Sequence, residues 1–340
     1  MLRIDGSHGS GSGTIIRLAM SLSMMTKKPF KINNIRAKRC NPGLQEQHLQ
    51  VVNSISELCN GKAIGNKLHS KEIEFHPGDE IRPDIKIKIN TAGSIGLVLQ
   101  AIMLPSFFSE HKKTEIEISG GGTLGKFAPN LLYTKEVFLP IIRKIGFDAE
   151  IEILKHGFYP RGGADIIARV HKNKIIKSLD IEERGKLSSI RVISLASSDL
   201  RKKEVCERMS SYAKKILKER YNVEIKTTDI YADTLSTGAG LLLIADFKNT
   251  LIASDSLGER GKTCEKVAEE AVNSLTKQLS SNCTLDEYMS DQILSYLALC
   301  RDKCFFRICE PTEHIETNIW LLEKFLDVKF SIENRVVKKN

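Results

Sequence analysis

His314 is the residue of this 340-residue chain with the most direct chemical use. It lies in Glu310-Pro311-Thr312-Glu313-His314-Ile315-Glu316-Thr317-Asn318, and an imidazole can act as a nucleophile as well as a base. A second candidate is Gly6-Ser7-His8-Gly9-Ser10-Gly11-Ser12-Gly13-Thr14, where four glycines join a strand to a helix. Backbone amides in such a loop can come close to an anion held at the helix N-terminus. A tight turn is the competing reading. No lysine precedes Thr14, and the spacing is not that of a dinucleotide loop, so neither common nucleotide fingerprint applies. A third candidate is Arg36-Ala37-Lys38-Arg39, three cations in four residues at a strand end. Clustered guanidiniums grip phosphate bidentately, although a solvated loop would read the same way. Arg17, on the first helix, can join them, and Gln47 and His48 lie one turn into the next helix near the same end. The segment His156-Gly157-Phe158-Tyr159-Pro160-Arg161-Gly162-Gly163 reads as a structural turn between strands.

Composition limits the partners. A net charge of +9 favours an anionic one, with nucleic acid or nucleotide first in line. Aromatics make up only 6%, which argues against a broad stacking platform for single strands. No apolar run approaches the roughly 20 residues that span a bilayer, so no membrane partner is expected and a cytoplasmic location is the default. A homo-oligomer is compatible with the chain. The eight cysteines are scattered, which disfavours a disulfide framework. Cys300, Cys304, Cys309 and His314 form a C-x3-C-x4-C-x4-H series, but structural zinc sites prefer tighter C-x2-C pairs. Small buried side chains are the expectation there.

The elements that must position these residues repeat. Strand at 2–5, helix at 14–25, strand at 30–35, helix at 44–59 and strands at 62–64 and 72–76 make one βαβαββ unit. The order recurs with strands at 85–90 and 115–119, helices at 94–107 and 131–145, and strands at 151–154 and 164–170. A third unit begins with a strand at 175–181. It resumes with a helix at 286–299, strand 304–308, helix 317–325 and strands 328–332 and 335–337. Between them, 185–283 carries its own strands and two amphipathic helices, at 202–221 and 262–279. The expected fold is therefore α/β of the α+β type: three βαβαββ repeats in a large domain, residues 1–184 plus 284–340. A small α/β domain at 185–283 is inserted in the third repeat.

Taken in order, these segments resemble the RNA 3′-terminal phosphate cyclases. The match runs through Asp5-Gly6 and the glycine loop, Arg17, Arg36 to Arg39, Asn41-Pro42-Gly43-Leu44 and Gln47-His48. It continues through Ala92-Gly93-Ser94, Leu99-Gln100, Ser119-Gly120-Gly121, His156 to Gly163, Tyr288-Met289-Ser290-Asp291-Gln292, and His314 to Asn318. The resemblance spans nearly the whole chain and implies the same repeat fold with its insertion. It implies that ATP adenylylates His314, that AMP passes to the 3′-terminal phosphate of an RNA, and that the neighbouring 2′-hydroxyl closes a 2′,3′-cyclic phosphate. Gln100, Pro129, Tyr288, Met289, Ser290, Asp291 and Gln292 are then expected at ATP, and Arg17, Arg36, Arg39, Gln47 and His48 at the phosphates and RNA end. A divalent metal, Mg or Mn, is expected too, with unassigned protein ligands. The family loop commonly reads Gly-Glu-Gly-Gly-Gly-Gln, and Ser10 stands at its acidic, metal-associated position. A hydroxyl is a poorer ligand than a carboxylate for a hard cation. Ala164 also stands where a third glycine is usual, which is tolerated if that position needs no positive φ. The alternative implied is a catalytically weak or inactive cyclase-like factor that binds RNA or assembles ribonucleoprotein. An enolpyruvyl-transferase-type enzyme of related architecture would account for neither His314 nor the segment around Tyr288.

Overall fold

The structure, a computed structural model, describes residues 1–126, 128–172 and 175–340. It is a mixed α/β protein. Strands β1 (Leu2–Asp5), β2 (Phe30–Asn33), β3 (Lys62–Ile64) and β4 (Ile73–His76) form a sheet ordered β1-β2-β4-β3. Its first pair is parallel and the other two are antiparallel. Strands β5 (Asp84–Ser94), β6 (Lys113–Gly122), β7 (Ala149–Lys155) and β8 (Asp165–His171) repeat that order and those senses.

A short β9 (Asp180–Ile181) then precedes a separate sheet of β10 (Leu187–Ser197), β11 (Glu224–Ala232), β12 (Ala239–Phe247) and β13 (Leu251–Leu257), ordered β11-β10-β12-β13. After it, β14 (Cys304–Arg307), β15 (Phe330–Glu333) and β16 (Val336–Lys339) join β9 in the order β15-β16-β14-β9. That is the pattern of the first two sheets a third time, with β9 and β14 parallel.

Each parallel pair needs a helical crossover. Helix α1 (Gly13–Thr26) connects β1 to β2, and α2 (Glu46–Leu58) follows β2. Helix α3 (Ile95–Ser106) connects β5 to β6, and α4 (Leu131–Tyr133) and α5 (Leu139–Lys144) follow β6. The β10–β13 sheet carries α6 (Val205–Arg220) and α7 (Cys264–Ser280). The helices α8 (Glu287–Gln292), α9 (Leu294–Leu297) and α10 (Glu313–Phe325) complete the chain. The apolar faces are fully used: Val51, Val52, Ile55 and Leu58 of α2 are completely buried. Each such side chain stabilises the fold by roughly 1.5–3 kcal/mol. The core of the three similar sheets is continuous, and the β10–β13 sheet packs a second core with α6 and α7.

Several elements differ from their sequence reading. The helix expected over 131–145 contains a π-helical stretch at Thr134–Phe138. Pro140 has no N–H to return to Glu136, and the Leu139 amide reaches back to the Thr134 carbonyl instead. The helix expected over 286–299 is broken at Ile293 into α8 and α9. The helix expected from 202 starts at Val205, because Glu204 takes a left-handed φ of 50° after a 3-10 turn. The strand expected over 175–181 is only two residues long. The helix expected to begin at 317 begins at Glu313, where Thr312 caps it by accepting the Ile315 amide at 3.2 Å.

Candidate active site between helix N-termini

A strand that feeds a crossover helix ends where that helix begins, so strand C-termini and helix N-termini share one side of each sheet. The loops leaving β1, β2, β6 and β14 and the C-terminal end of β5 all face one cavity of about 1500 Å³, as do the first turns of α1, α2, α3 and α10. Unpaired N–H groups and the positive ends of these helices make that space favourable for anions. Helix α1 packs on α2, α3 and α10 and holds the arrangement together.

His314 is the second residue of α10, half-buried and facing the cavity. Burial first, then the charges of Arg39 and Arg17, hold its imidazole below the usual range, against a small opposing effect of Glu313. A neutral ring keeps a free nitrogen lone pair, the form a nucleophile needs. Arg17 sits one turn into α1, and burial brings it down to about 10 while Asp291 pulls the other way. Arg36 takes a φ of 55° and donates through Nη1 to the Gly43 carbonyl at 2.8 Å and to Asn41, which shapes the basic loop. Arg39 faces the same cavity.

His48 is 3% exposed and lies against Gly13, where the missing side chain makes room for the ring. Burial, then Arg17 and Arg36, push it well below the ordinary imidazole value. Its Nδ1 accepts the Gln45 amide at 3.3 Å, so the proton of the neutral ring resides on Nε2. His48 therefore offers a hydrogen-bond donor to the cavity. Gln47 accepts the Ser94 amide at 3.0 Å through Oε1 and ties α2 to the start of α3.

The opposite wall contains Gln100, Pro129, Tyr288, Asp291 and Gln292. Gln100 donates through Nε2 to Gln292 Oε1. The Tyr288 hydroxyl donates to Asp255 at 3.0 Å, and Asn130 donates to the same carboxylate at 2.8 Å. Asp291 accepts Asn318 Nδ2 on its backbone carbonyl at 3.0 Å, and its buried Oδ1 has no hydrogen-bond partner among the described residues. Burial raises its carboxyl to about 7 despite the nearby Arg17. Thr14 donates to Asn318 Oδ1 at 3.2 Å and closes a link from α1 to α10.

Met289 and Ser290 are buried and lie away from the cavity, Ser290 bonding the Asp286 carbonyl at 2.7 Å. Residues 288, 291, 292 and 295 share one face of a helix, and 289 and 290 fall on the other; that spacing could have sorted them in the sequence. Sequence reasoning also missed Asn130 and Asp255, which no local motif marks, and the cavity-facing Arg260 beyond β13. Ala164 lies outside the positive-φ positions, which are taken by Gly162 and Gly163, so its methyl costs nothing in the backbone.

The surroundings of Ser10 do not fit a protein-held metal. Its Oγ pairs with Ser12 Oγ at 3.0 Å, its amide donates to Thr317 Oγ1 at 3.0 Å, and the side chain is buried. Lys38 fixes the same loop by donating to the Gly9 carbonyl at 2.7 Å. Among the described residues, no three His, Cys, Asp or Glu side chains gather as a metal site. The Cys300, Cys304, Cys309 and His314 series does not converge either: Cys300 and Cys304 are core residues, while His314 faces the cavity. Among the described residues, no helix is long and apolar enough to cross a membrane.

Such a cavity suits an enzyme that handles phosphate-bearing substrates. The family model of the RNA 3′-terminal phosphate cyclases matches residues 8–332. The RNA 3′-terminal phosphate cyclase of Saccharolobus solfataricus is 39% identical over 338 residues, covering 98% of this chain and 97% of that one. That of Methanopyrus kandleri is 36% identical over 341 residues, covering 98% and 96%. That of Methanococcoides burtonii is 39% identical over 336 residues, covering 98% and 97%. The chain belongs to the RNA 3′-terminal phosphate cyclase family, a family of ligase-type enzymes.

Proposed function

We propose that this protein converts the 3′-terminal phosphate of an RNA to a 2′,3′-cyclic phosphate at the expense of ATP, with His314 as the AMP carrier. The observation that carries the reading is the placement of His314. It lies at a helix N-terminus, where burial and then Arg39 and Arg17 favour the neutral imidazole, in a cavity shared with Arg17, Arg36 and Arg39.

In the first step an imidazole nitrogen of His314 attacks the α-phosphorus of ATP. A P–N bond forms, the P–O bond to pyrophosphate breaks, and the ring gives up its remaining proton to solvent. In the second step an oxygen of the RNA 3′-phosphate attacks the same phosphorus, and the imidazole leaves with its bonding pair and regains a proton. In the third, the 2′-hydroxyl loses its proton and attacks the terminal phosphorus, and AMP leaves. Carrying AMP covalently divides one difficult displacement into easier ones. The three arginines and the Nε2–H of His48 would offset the charge gathered at the phosphates. Gln100, Pro129, Tyr288, Asp291 and Gln292 would hold the nucleoside. The Ser10 loop offers paired hydroxyls where a hard cation favours a carboxylate, so these residues do the work described without a protein-held metal. On this reading residues 1–184 and 284–340 form the catalytic body, and 185–283 an inserted unit that closes one side of the cavity.

The test is incubation with ATP labelled at the α-phosphate, followed by addition of a 3′-phosphorylated RNA. Label bound to the wild-type chain, absent in His314→Ala, and a cyclic-phosphate product are expected. RNA binding with no adduct in any divalent metal would instead favour the non-catalytic reading.

A further inference from the structure

We propose that Tyr159 is a positioning residue for the polynucleotide, a platform on which a nucleobase of the incoming strand stacks. The inference rests on the function proposed above and adds a contact to the RNA that is separate from the reacting phosphate.

Tyr159 is 77% exposed, the most exposed large apolar side chain among the described residues, and it faces the cavity that holds His314. Most aromatic side chains of this chain are used up in packing, which makes a bare ring at this position notable. Mobility does not account for it, because its loop is fixed from two sides. Gly157 and Gly162 lie so close to the Gly121 carbonyl that an added Cβ would be 2.6 Å away in either case. The neighbouring Phe158 is buried and fills the space left by Gly238, where an added Cβ would meet its ring at 2.6 Å. The Arg161 amide donates to Ser236 Oγ at 3.1 Å, and its guanidinium to the Leu235 carbonyl at 3.4 Å. The β7–β8 loop is thus gripped between β6 and the loop preceding β12, and Tyr159 is presented on a rigid mount.

Charge selects the occupant. Arg161, two residues further on, is exposed, and Arg260 and Arg39 line the same cavity as the ring. An apolar π-face in a cavity lined by guanidiniums matches a base on a phosphodiester backbone, the arrangement by which proteins hold single-stranded ends. An acidic peptide would use the cations and leave the ring unused. The nucleoside of ATP is assigned to the wall of Gln100, Pro129 and Tyr288, so the base at Tyr159 belongs to the RNA. The rigid mount means that little ordering cost is incurred on binding.

The experiment uses the full chain and a short single-stranded RNA with a 3′-phosphate. Binding is read by fluorescence anisotropy, cyclisation by steady-state kinetics, and His314 adenylylation by label from ATP alone. A stack of this kind is worth a factor of about 5 to 150 in affinity. Tyr159→Ala is expected to raise Kd and KM for RNA by that factor with kcat nearly unchanged, since stacking is made equally in ground and transition states. Tyr159→Phe should restore both, and adenylylation should be the same in all three proteins. Wild-type RNA affinity in Tyr159→Ala overturns the proposal, as does a parallel loss of adenylylation, or failure of Tyr159→Phe to rescue. If the wild type binds the RNA but cyclises none of it, the function proposed above fails, and anisotropy still decides the role of Tyr159.

Discussion

Replacing Gly13 with alanine adds one methyl group at the first residue of α1, and the geometry predicts where the strain goes. An added Cβ would lie 2.0 Å from His48 Nε2, 2.7 Å from its Cδ2 and 3.0 Å from Arg17 Nη1. Ordinary contact begins near 3.5 Å, so the imidazole must retreat by about 1.5 Å. The backbone does not resist the change, because Gly13 does not need a positive φ and alanine in a helix is favoured over glycine by about 0.5–1 kcal/mol. The cost therefore falls on the site: His48 must leave its buried seat and its bond to the Gln45 amide. A misplacement of this size costs on the order of 100-fold in turnover. The assay pairs initial rates of cyclic-phosphate formation with thermal unfolding. Turnover should fall by about 100-fold while Tm moves by only a few degrees. Gly96→Ala in α3 is the control, since its Cβ would meet nothing closer than 3.6 Å. That variant should keep its turnover and gain up to about 1 kcal/mol in stability. Wild-type turnover in Gly13→Ala would refute the reasoning, and so would a loss explained by a collapse in Tm.

Two further outcomes follow from the electrostatics and the core. Arg39 is, after burial, the largest influence holding the His314 imidazole down, so Arg39→Gln should raise that group's pKa. The acid limb of the pH profile for adduct formation then moves to higher pH, with slower labelling at mildly acidic pH; an unmoved limb, or one moved to lower pH, would count against the assignment. In the core, the fully buried Tyr133 hydroxyl donates to Asp286 at 2.6 Å, and the same carboxyl accepts the amides of Met289 at 2.9 Å and Ala253 at 3.0 Å. Tyr133→Phe should cost about 1.5–3 kcal/mol, read as a lower urea midpoint at unchanged m-value.

The local elements were largely legible because burial writes itself into spacing. Val51, Val52, Ile55 and Leu58 announce the inner face of α2, and Ser94 announces the start of α3. The errors were also local and physical. Thr312 was a readable N-cap, and using it would have placed His314 inside α10 from the start. Pro140 was a readable break, and its consequence is the π-helical stretch before it. Met289 and Ser290 adjoin Tyr288 and Asp291 in sequence but do not line the cavity, because a helix turns neighbours away from each other.

The sequence alone determined which residue types were available: one imidazole in a polar segment, a cluster of guanidiniums, a glycine loop and a repeated βα order. It could do so because propensity, capping and periodicity act over a few residues. Only the tertiary structure decided which of these groups meet. His314, Arg17 and His48 face one cavity with Asp291 because α1, α2 and α10 each begin beyond the C-terminal end of the strand they follow. The state of each group follows from that meeting. The neutral His48, the raised Asp291 carboxyl and the lowered His314 imidazole all depend first on burial, and His314 also on Arg39 and Arg17, more than 270 residues away in the chain. Desolvation and Coulomb interactions act through space, and no local spacing encodes them.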